Sequence, residues 1–280
     1  MVTDVTFTSD SLQLAGTLRT PAGAGPFPAV VFTGPLSGVK EQVVATYAEK
    51  LTDAGFLTLA FDHRNFGASA GEPRQHENHA GKFQDLRDAT TFLAAHPAVD
   101  ADRIGCVGIC LGGGIALRYS AFDPRIRALA TVAGGYNSPT HDRAVLSNFI
   151  AAEGYWGAVA GSDYDGTVMG GDEPYDYYGT DRAPSRGWVN RLTVRSVYEL
   201  MTTDLAGGAE FISPTPWLLV HGDRDAYCTP EQARATFARA GEPKWDVWLP
   251  ADLHIDLYDN PKYVDPAADA IVAWFGEHLV

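Results

Sequence analysis

The chain of 280 residues is 45% hydrophobic and 20% charged, with a formal net charge of -14. It contains no run of about 18 apolar residues, which excludes a membrane-spanning helix, and its negative charge without any basic run excludes nucleic acid as a partner. The opening MVTDVTFTSDSLQLAG lacks the basic start and apolar stretch of a secretory signal, so a cytoplasmic protein with reduced thiols is expected.

In chain order, residues 5–8 and 12–18 alternate apolar and polar side chains around a Ser/Asp turn, the pattern of a half-buried hairpin. Residues 29–33, 56–61, 104–108 and 128–132 are largely apolar runs of strand length, as expected of strands covered on both faces. Strands at 217–221 and 245–249 bring the number to eight. Helical patterns cover 42–54, 82–95, 111–121, 230–240 and 266–279. The alternation predicts an α/β protein with a mostly parallel sheet and helices on both faces. Residues 134–208 break the rhythm with no clear strand, and 153–182 are crowded with Asp, Glu, Gly and Tyr. A helical cap inserted over a pocket is expected there, between core parts 1–133 and 209–280.

Gly108-Ile109-Cys110-Leu111-Gly112 fits G-x-[nucleophile]-x-G between a strand and a helix. The turn is sharp and strained, so the positions two residues to either side must lack side chains for strand and helix to pass closely. Cys110 is thus the candidate nucleophile, against the alternative of a buried structural thiol. The amide of Leu111 lies at a helix N-terminus, suited to a developing oxyanion. A base and an acid to orient it should follow in the order nucleophile, acid, base. Asp225 in His221-Gly222-Asp223-Arg224-Asp225 is the candidate acid, with Asp223 its competitor. His254, in a loop after the last strand, is the candidate base, with His63 and His221 as rivals better suited to holding loops.

Cys106 and Cys228 read as structural thiols, and the three cysteines form neither a CxxC nor a Cys/His metal spacing. Asp163, Asp165 and Gly166 have the look of a calcium loop, but its ends would fall on Gly161 and Asp172; His76 and His79 lack a third ligand at helical spacing. No metal and no cofactor are expected. Tyr136 after the fourth parallel-type run, and Tyr155, Trp156 and Trp188 in the insertion, are candidates for lining a hydrophobic pocket, with packing of the cap as the alternative reading for the insertion aromatics, which also include Tyr164, Tyr175, Tyr177 and Tyr178. Seven acidic residues against Arg182 alone between Glu153 and Arg182 disfavour anionic substrates.

The stretches at 34–42, 62–69, 108–112, 221–225 and 253–259 together resemble the α/β-hydrolase superfamily, and within it the dienelactone-hydrolase-like branch that includes cysteine-nucleophile hydrolases and fungal polyketide transferases. The resemblance spans nearly the whole chain and implies an α/β-hydrolase fold with Cys110, Asp225 and His254 as triad. In Thr33-Gly34-Pro35-Leu36 it departs from the family's usual His-Gly-x, and proline has no N–H to donate, so the second oxyanion donor is assigned to Leu36. Asn65 stands where glycine is usual, a change Asn accommodates through left-handed backbone angles. A thiol, with a reference pKa of about 8.5, is activated more readily than an alcohol and leaves more readily, which suits acyl transfer, thioester chemistry or lactone opening. The expected activity is cleavage or transfer of acyl groups from a hydrophobic, natural-product-like small molecule; the alternatives are cyclisation or carbon–carbon bond formation on the same fold, or a non-catalytic ligand-binding protein. Pairing of two copies into a homodimer is compatible with the sequence.

Overall fold

A computed structural model describes residues 1–279 apart from 162, 164, 165 and 184–186. Tyr164 and Asp165 therefore lie outside the described residues. The chain opens with strands β1 (Val2–Ser9), β2 (Leu12–Arg19) and β3 (Phe27–Thr33), then helix α1 (Val43–Asp53), β4 (Leu57–Phe61), α2 (His79–Ala94), β5 (Val99–Ile109), α3 (Leu111–Ser120) and β6 (Ile126–Val132). An intervening segment holds α4 (Arg143–Phe149), β7 (Tyr155–Val159), β8 (Thr167–Met169), α5 (Asp172–Tyr178), β9 (Leu192–Thr193) and α6 (Arg195–Thr202). The chain closes with β10 (Trp217–Gly222), α7 (Pro230–Ala238), β11 (Lys244–Leu249), α8 (Asp256–Asp259) and α9 (Pro261–His278).

Eight strands form one sheet in the order β1-β2-β4-β3-β5-β6-β10-β11. Only the pairings of β2 with β1 and β4 are antiparallel. This is the α/β-hydrolase arrangement. The apolar runs are explained by two cores, one on each face of the sheet. Ala29 and Val31 of β3, Leu129 of β6, and Trp217 and Leu219 of β10 enter one; Val30 and Phe32, Ala128 and Ala130, and Leu218 and Val220 enter the other. Because successive side chains point to opposite faces, a strand feeding both cores must be apolar throughout. The sheet reverses its winding between β3 and β5, which are neighbours although β4 lies between them in the chain. Such a switch opens a crevice at the carboxyl ends of those strands, and Cys110 directly follows β5.

Several boundaries differ from the sequence expectation. Helix α2 begins three residues earlier, because the Asn78 side chain accepts from Gly81 N at 2.8 Å and caps it. Helix α9 begins at Pro261, with Asn260 as cap and proline at the first helical position, so Pro266 lies inside the helix. The insertion is not purely helical. A three-stranded sheet, β8-β7-β9, is built from segments of two to five residues, too short to register as strand patterns. Asn65 has φ 74°, the left-handed angle that its place in the Asp62–Ser69 turn demands.

Candidate active site

Strand β5 delivers Cys110 into a backbone conformation of φ 56° and ψ -127°, a left-handed φ for a residue with a side chain. Such a turn persists only where packing imposes it. A Cβ on Gly108 would lie 2.2 Å from Gly112 O and 2.6 Å from the Ala116 Cβ; one on Gly112 would lie 2.3 Å from Thr33 O. The two glycines thus let α3 press against both β5 and the end of β3. Cys110 N donates to Val132 O, and Cys110 O accepts from Gly113 N and Gly135 N at 2.8 and 2.7 Å, which pins the turn from three sides.

The loop after β10 supplies the candidate acid. Asp225 Oδ1 accepts from the amides of Tyr227 and Cys228, both at 2.8 Å, leaving Oδ2 for His254 Nδ1 at 2.6 Å. Asp225 and His254 are both buried. Asp223, the competing acid, faces solvent beside Arg224 at 3.7 Å. The rival histidines hold loops: His63 bridges Thr33 Oγ1 and Asp85, and His221 Nε2 bonds Cys228 O at 2.7 Å. His254 Nε2 meets Tyr258 Oη at 2.9 Å, and ring nitrogen, Cys110 Sγ and Cys228 Sγ all lie within 4.8 Å of one another.

The Cys228 thiol, hydrogen-bonded to Cys110, holds the Cys110 pKa well below the usual thiol range against the opposing effect of burial, with the charge of His254 adding to it. Burial pulls His254 down, but the Cys110 thiolate and the Asp225 carboxylate outweigh it and raise the imidazole to about 10. Burial likewise acts to raise Asp225, and its hydrogen bond to His254 and the surrounding donors reverse this. The three groups therefore favour a thiolate–imidazolium pair backed by a carboxylate.

On the opposite side stands the turn that follows β3. Ser37, at φ 59°, donates its amide to the buried Glu77 carboxylate at 2.9 Å, and Lys40 donates its amide to Asp62 at 2.8 Å. Glu77 in turn pairs with Lys82 at 2.6 Å. These buried acids fix the loop bearing Leu36, which is itself buried, as is Leu111. Among the described residues, no loop hydrogen bond takes the amide of Leu36 or Leu111.

A cavity of about 40 Å³ opens on Cys110 and His254, walled by Met169, Glu173, Pro174, Tyr178, Tyr227, Ile255 and Tyr258. The four aromatics expected to line it do not. Tyr136 is fully buried, its hydroxyl on Thr131 Oγ1 and its ring against Trp217, because it belongs to the core beneath β6 and β10. Tyr155 lies under Arg191, Trp156 packs edge-on against Phe149, and Trp188 stacks on Tyr178 at 5.4 Å, one layer behind the wall. Of the insertion aromatics, Tyr178 does line the cavity, and it is joined by Tyr227 and Tyr258, which sit within four residues of Asp225 and His254 and were not anticipated. A larger cavity of about 380 Å³, between Ser120–Arg127 and Phe211–Pro216, lies at the amino ends of β6 and β10 and has no cysteine or histidine in its wall.

His76 and His79 do not form a metal pair: His76 Nδ1 bonds Thr193 Oγ1, and His79 is buried with both ring nitrogens unpartnered. Among the described residues, only Cys110, Cys228 and His254 gather three ligand atoms closely enough to hold a metal ion. No helix is long and apolar enough to cross a membrane among those residues.

The family model described as serine aminopeptidase, S33 (Hydrolase_4) matches residues 37–250. The Pseudomonas aeruginosa protein PA2218 is 32% identical over 295 residues, covering 96% of this chain and 78% of that one. Its crystal structure superimposes with a TM-score of 0.85, covering 99% and 94% of the two chains. The polyketide transferase GrgF of Penicillium is 28% identical over 272 residues, covering 90% of this chain and 89% of that one, and its structure superimposes with a TM-score of 0.84. A dienelactone hydrolase from Anabaena variabilis, 17% identical with a TM-score of 0.65 over 100% of this chain and 99% of its own, shares the fold.

Proposed function

The chain belongs to the serine aminopeptidase S33 family of α/β-hydrolases, and from that premise we propose that it is an acyl-transferring enzyme that uses Cys110 where the family name specifies serine. The observation that carries this reading is the connected set Asp225, His254 and Cys110 on a strained elbow, with 2.6 Å between acid and base. His254 takes the Cys110 proton, and the thiolate attacks the carbonyl carbon of an ester, lactone or thioester. The tetrahedral oxyanion receives hydrogen bonds from Leu111 N at the start of α3 and from Leu36 N. His254 then returns the proton to the leaving oxygen or sulfur, and an acyl-Cys110 thioester remains. Water or another nucleophile, deprotonated by His254, attacks that thioester and regenerates the thiol.

The substrate is neutral and largely hydrophobic. Glu173 is the carboxylate in the cavity wall and its neighbours are Met, Pro, Ile and Tyr, so an anion at this position would face repulsion. The similarity to a polyketide transferase supports a natural-product acyl chain. About 40 Å³ holds only a few waters, against the roughly 300 Å³ or more of a typical ligand pocket. Residues 134–208 therefore act as a cap that yields on binding, with α5 as its moving wall. The test is a partition experiment. With an activated acyl thioester and increasing alcohol or amine acceptor, the ratio of transfer product to free acid should rise in proportion to the acceptor, after a burst of leaving group. Product ratios that ignore the acceptor, with no burst of leaving group, would refute a shared acyl-enzyme intermediate.

A further inference from the structure

Beyond its hydrogen bond to Cys110, Cys228 takes no step in acyl transfer as described, yet its sulfur is held in place beside the nucleophile. Its amide donates to Asp225 Oδ1 at 2.8 Å and its carbonyl accepts from His221 Nε2 at 2.7 Å, so both ends of the residue are fixed by buried side chains. Cys228 and His254 are 8% and 5% exposed, while Cys110 is partly exposed and faces the cavity. We propose that Cys110 Sγ, Cys228 Sγ and His254 Nε2 form a Cys2His site for a thiophilic divalent ion of the Zn²⁺ class, whose binding switches the enzyme off.

Three features of the cluster fit such an ion. The donor atoms lie within 4.8 Å of one another, and a tetrahedral zinc with Zn–S of about 2.3 Å and Zn–N of about 2.0 Å sets its donors roughly 3.5–3.8 Å apart. Closure needs side-chain shifts of about an ångström at most. The second feature is the Asp225 carboxylate on His254 Nδ1, which orients the ring and turns Nε2 toward the cluster, where the ion would take the place of the Tyr258 hydroxyl that Nε2 meets at 2.9 Å. The third is charge: two thiolates neutralise a divalent ion in a buried site, the Cys228 thiol and the His254 imidazolium releasing their protons to solvent. Sulfur donors select against Mg²⁺ and Ca²⁺. The fourth position opens on the cavity, where water or Glu173 completes the shell. A bound ion takes both nucleophile and base, so the loaded protein is inactive until a chelator removes it.

The metal site rests on the cluster's geometry, its switching role rests on the proposed acyl chemistry, and the test of the site uses no turnover. Metal-free protein is titrated with Zn²⁺ by calorimetry against a competing chelator, and with Co²⁺ by absorption. One equivalent should bind, with a thiolate-to-cobalt charge-transfer band, and affinity should fall by at least about 100-fold in Cys228→Ser and in Cys110→Ala while Cys106→Ser stays as wild type. Equal affinity in wild type and Cys228→Ser, or cobalt binding without the band, would overturn the assignment. Should Cys228→Ser not fold, as judged by its melting transition, the wild type alone decides: Zn²⁺ should protect Cys110 and Cys228 together from alkylation, and protection of Cys110 alone would refute the site.

Discussion

Substituting Gly112 with alanine isolates the contact on which the whole site depends, the approach of α3 to the end of β3. The new Cβ would stand 2.3 Å from Thr33 O and 2.6 Å from Gly34 O, where real Cβ atoms keep at least 3.0 Å. Both obstructing atoms are backbone, so no rotamer change relieves the clash, and the strand end and helix must part by about 0.7 Å, the difference between 3.0 and 2.3 Å. In an interior packed to crystal density this overpacking costs about 1–3 kcal/mol. The same displacement carries the Leu36 loop away from the Leu111 amide, and a misplacement on the order of 1 Å lowers a well-oriented reaction by about 100-fold. Thermal or urea unfolding should therefore give the loss of stability, and single-turnover acylation should slow by about two orders of magnitude. Alkylation of Cys110 by iodoacetamide, which needs no oxyanion donors, should change far less. A variant with wild-type acylation and wild-type melting would refute the account of why glycine occupies this position.

Asp225→Asn should lower acylation by about 10²- to 10⁴-fold: the carboxamide oxygen keeps the amides of Tyr227 and Cys228, and its NH₂ then faces His254 Nδ1 and leaves the ring proton on the wrong nitrogen. A fall of less than tenfold in single-turnover rate would contradict the triad. Burial lowers His79 to about 4, whereas the unfolded chain takes up this proton near pH 6.5. Its folded pKa is depressed, so its contribution is complete above pH 6.5 and declines down to about pH 4, by about 3 kcal/mol in all. His79→Leu should flatten the pH dependence of urea stability across that window, and an unchanged slope would refute this. Arg182 ties α5 to α8 through Asp259 at 2.7 Å and to Asp176. Arg182→Ala should speed labelling of Cys110 by a bulky maleimide about threefold, as expected for loss of a partly exposed ion pair, and an unchanged rate would count against α5 as the moving wall.

The strands of the sheet were legible because all but the edge strand β11 are alternating or doubly buried, and both patterns are written in consecutive residues. The elbow was legible for a similar reason: Gly108 and Gly112 flank Cys110 within five residues, and the clash each avoids is local to one turn. Asp225 and His254 followed from their placement after β10 and β11, where strand ends deliver loop side chains to the crevice. What escaped was whatever the fold brings together over long separations. The β7–β9 pairing joins Tyr155 with Thr193, and no single window holds both. Tyr136 is a core residue and not a pocket residue: its partners, Thr131 and Trp217, lie on neighbouring strands. Cys228 lies three residues after Asp225, but nothing in that window shows that its sulfur meets Cys110. Its proximity to Cys110 spans more than a hundred residues of sequence and exists only because β5 and β10 end at the same crevice.

The central claim is that an acyl group resides on Cys110 during turnover. Intact-protein mass after brief exposure to activated acyl esters and thioesters, followed by peptide mapping, tests it directly. The wild type should gain the mass of one acyl group on the peptide carrying Cys110, and Cys110→Ala should gain none. An adduct of equal yield on Cys110→Ala, or one confined to Cys228, would contradict the account.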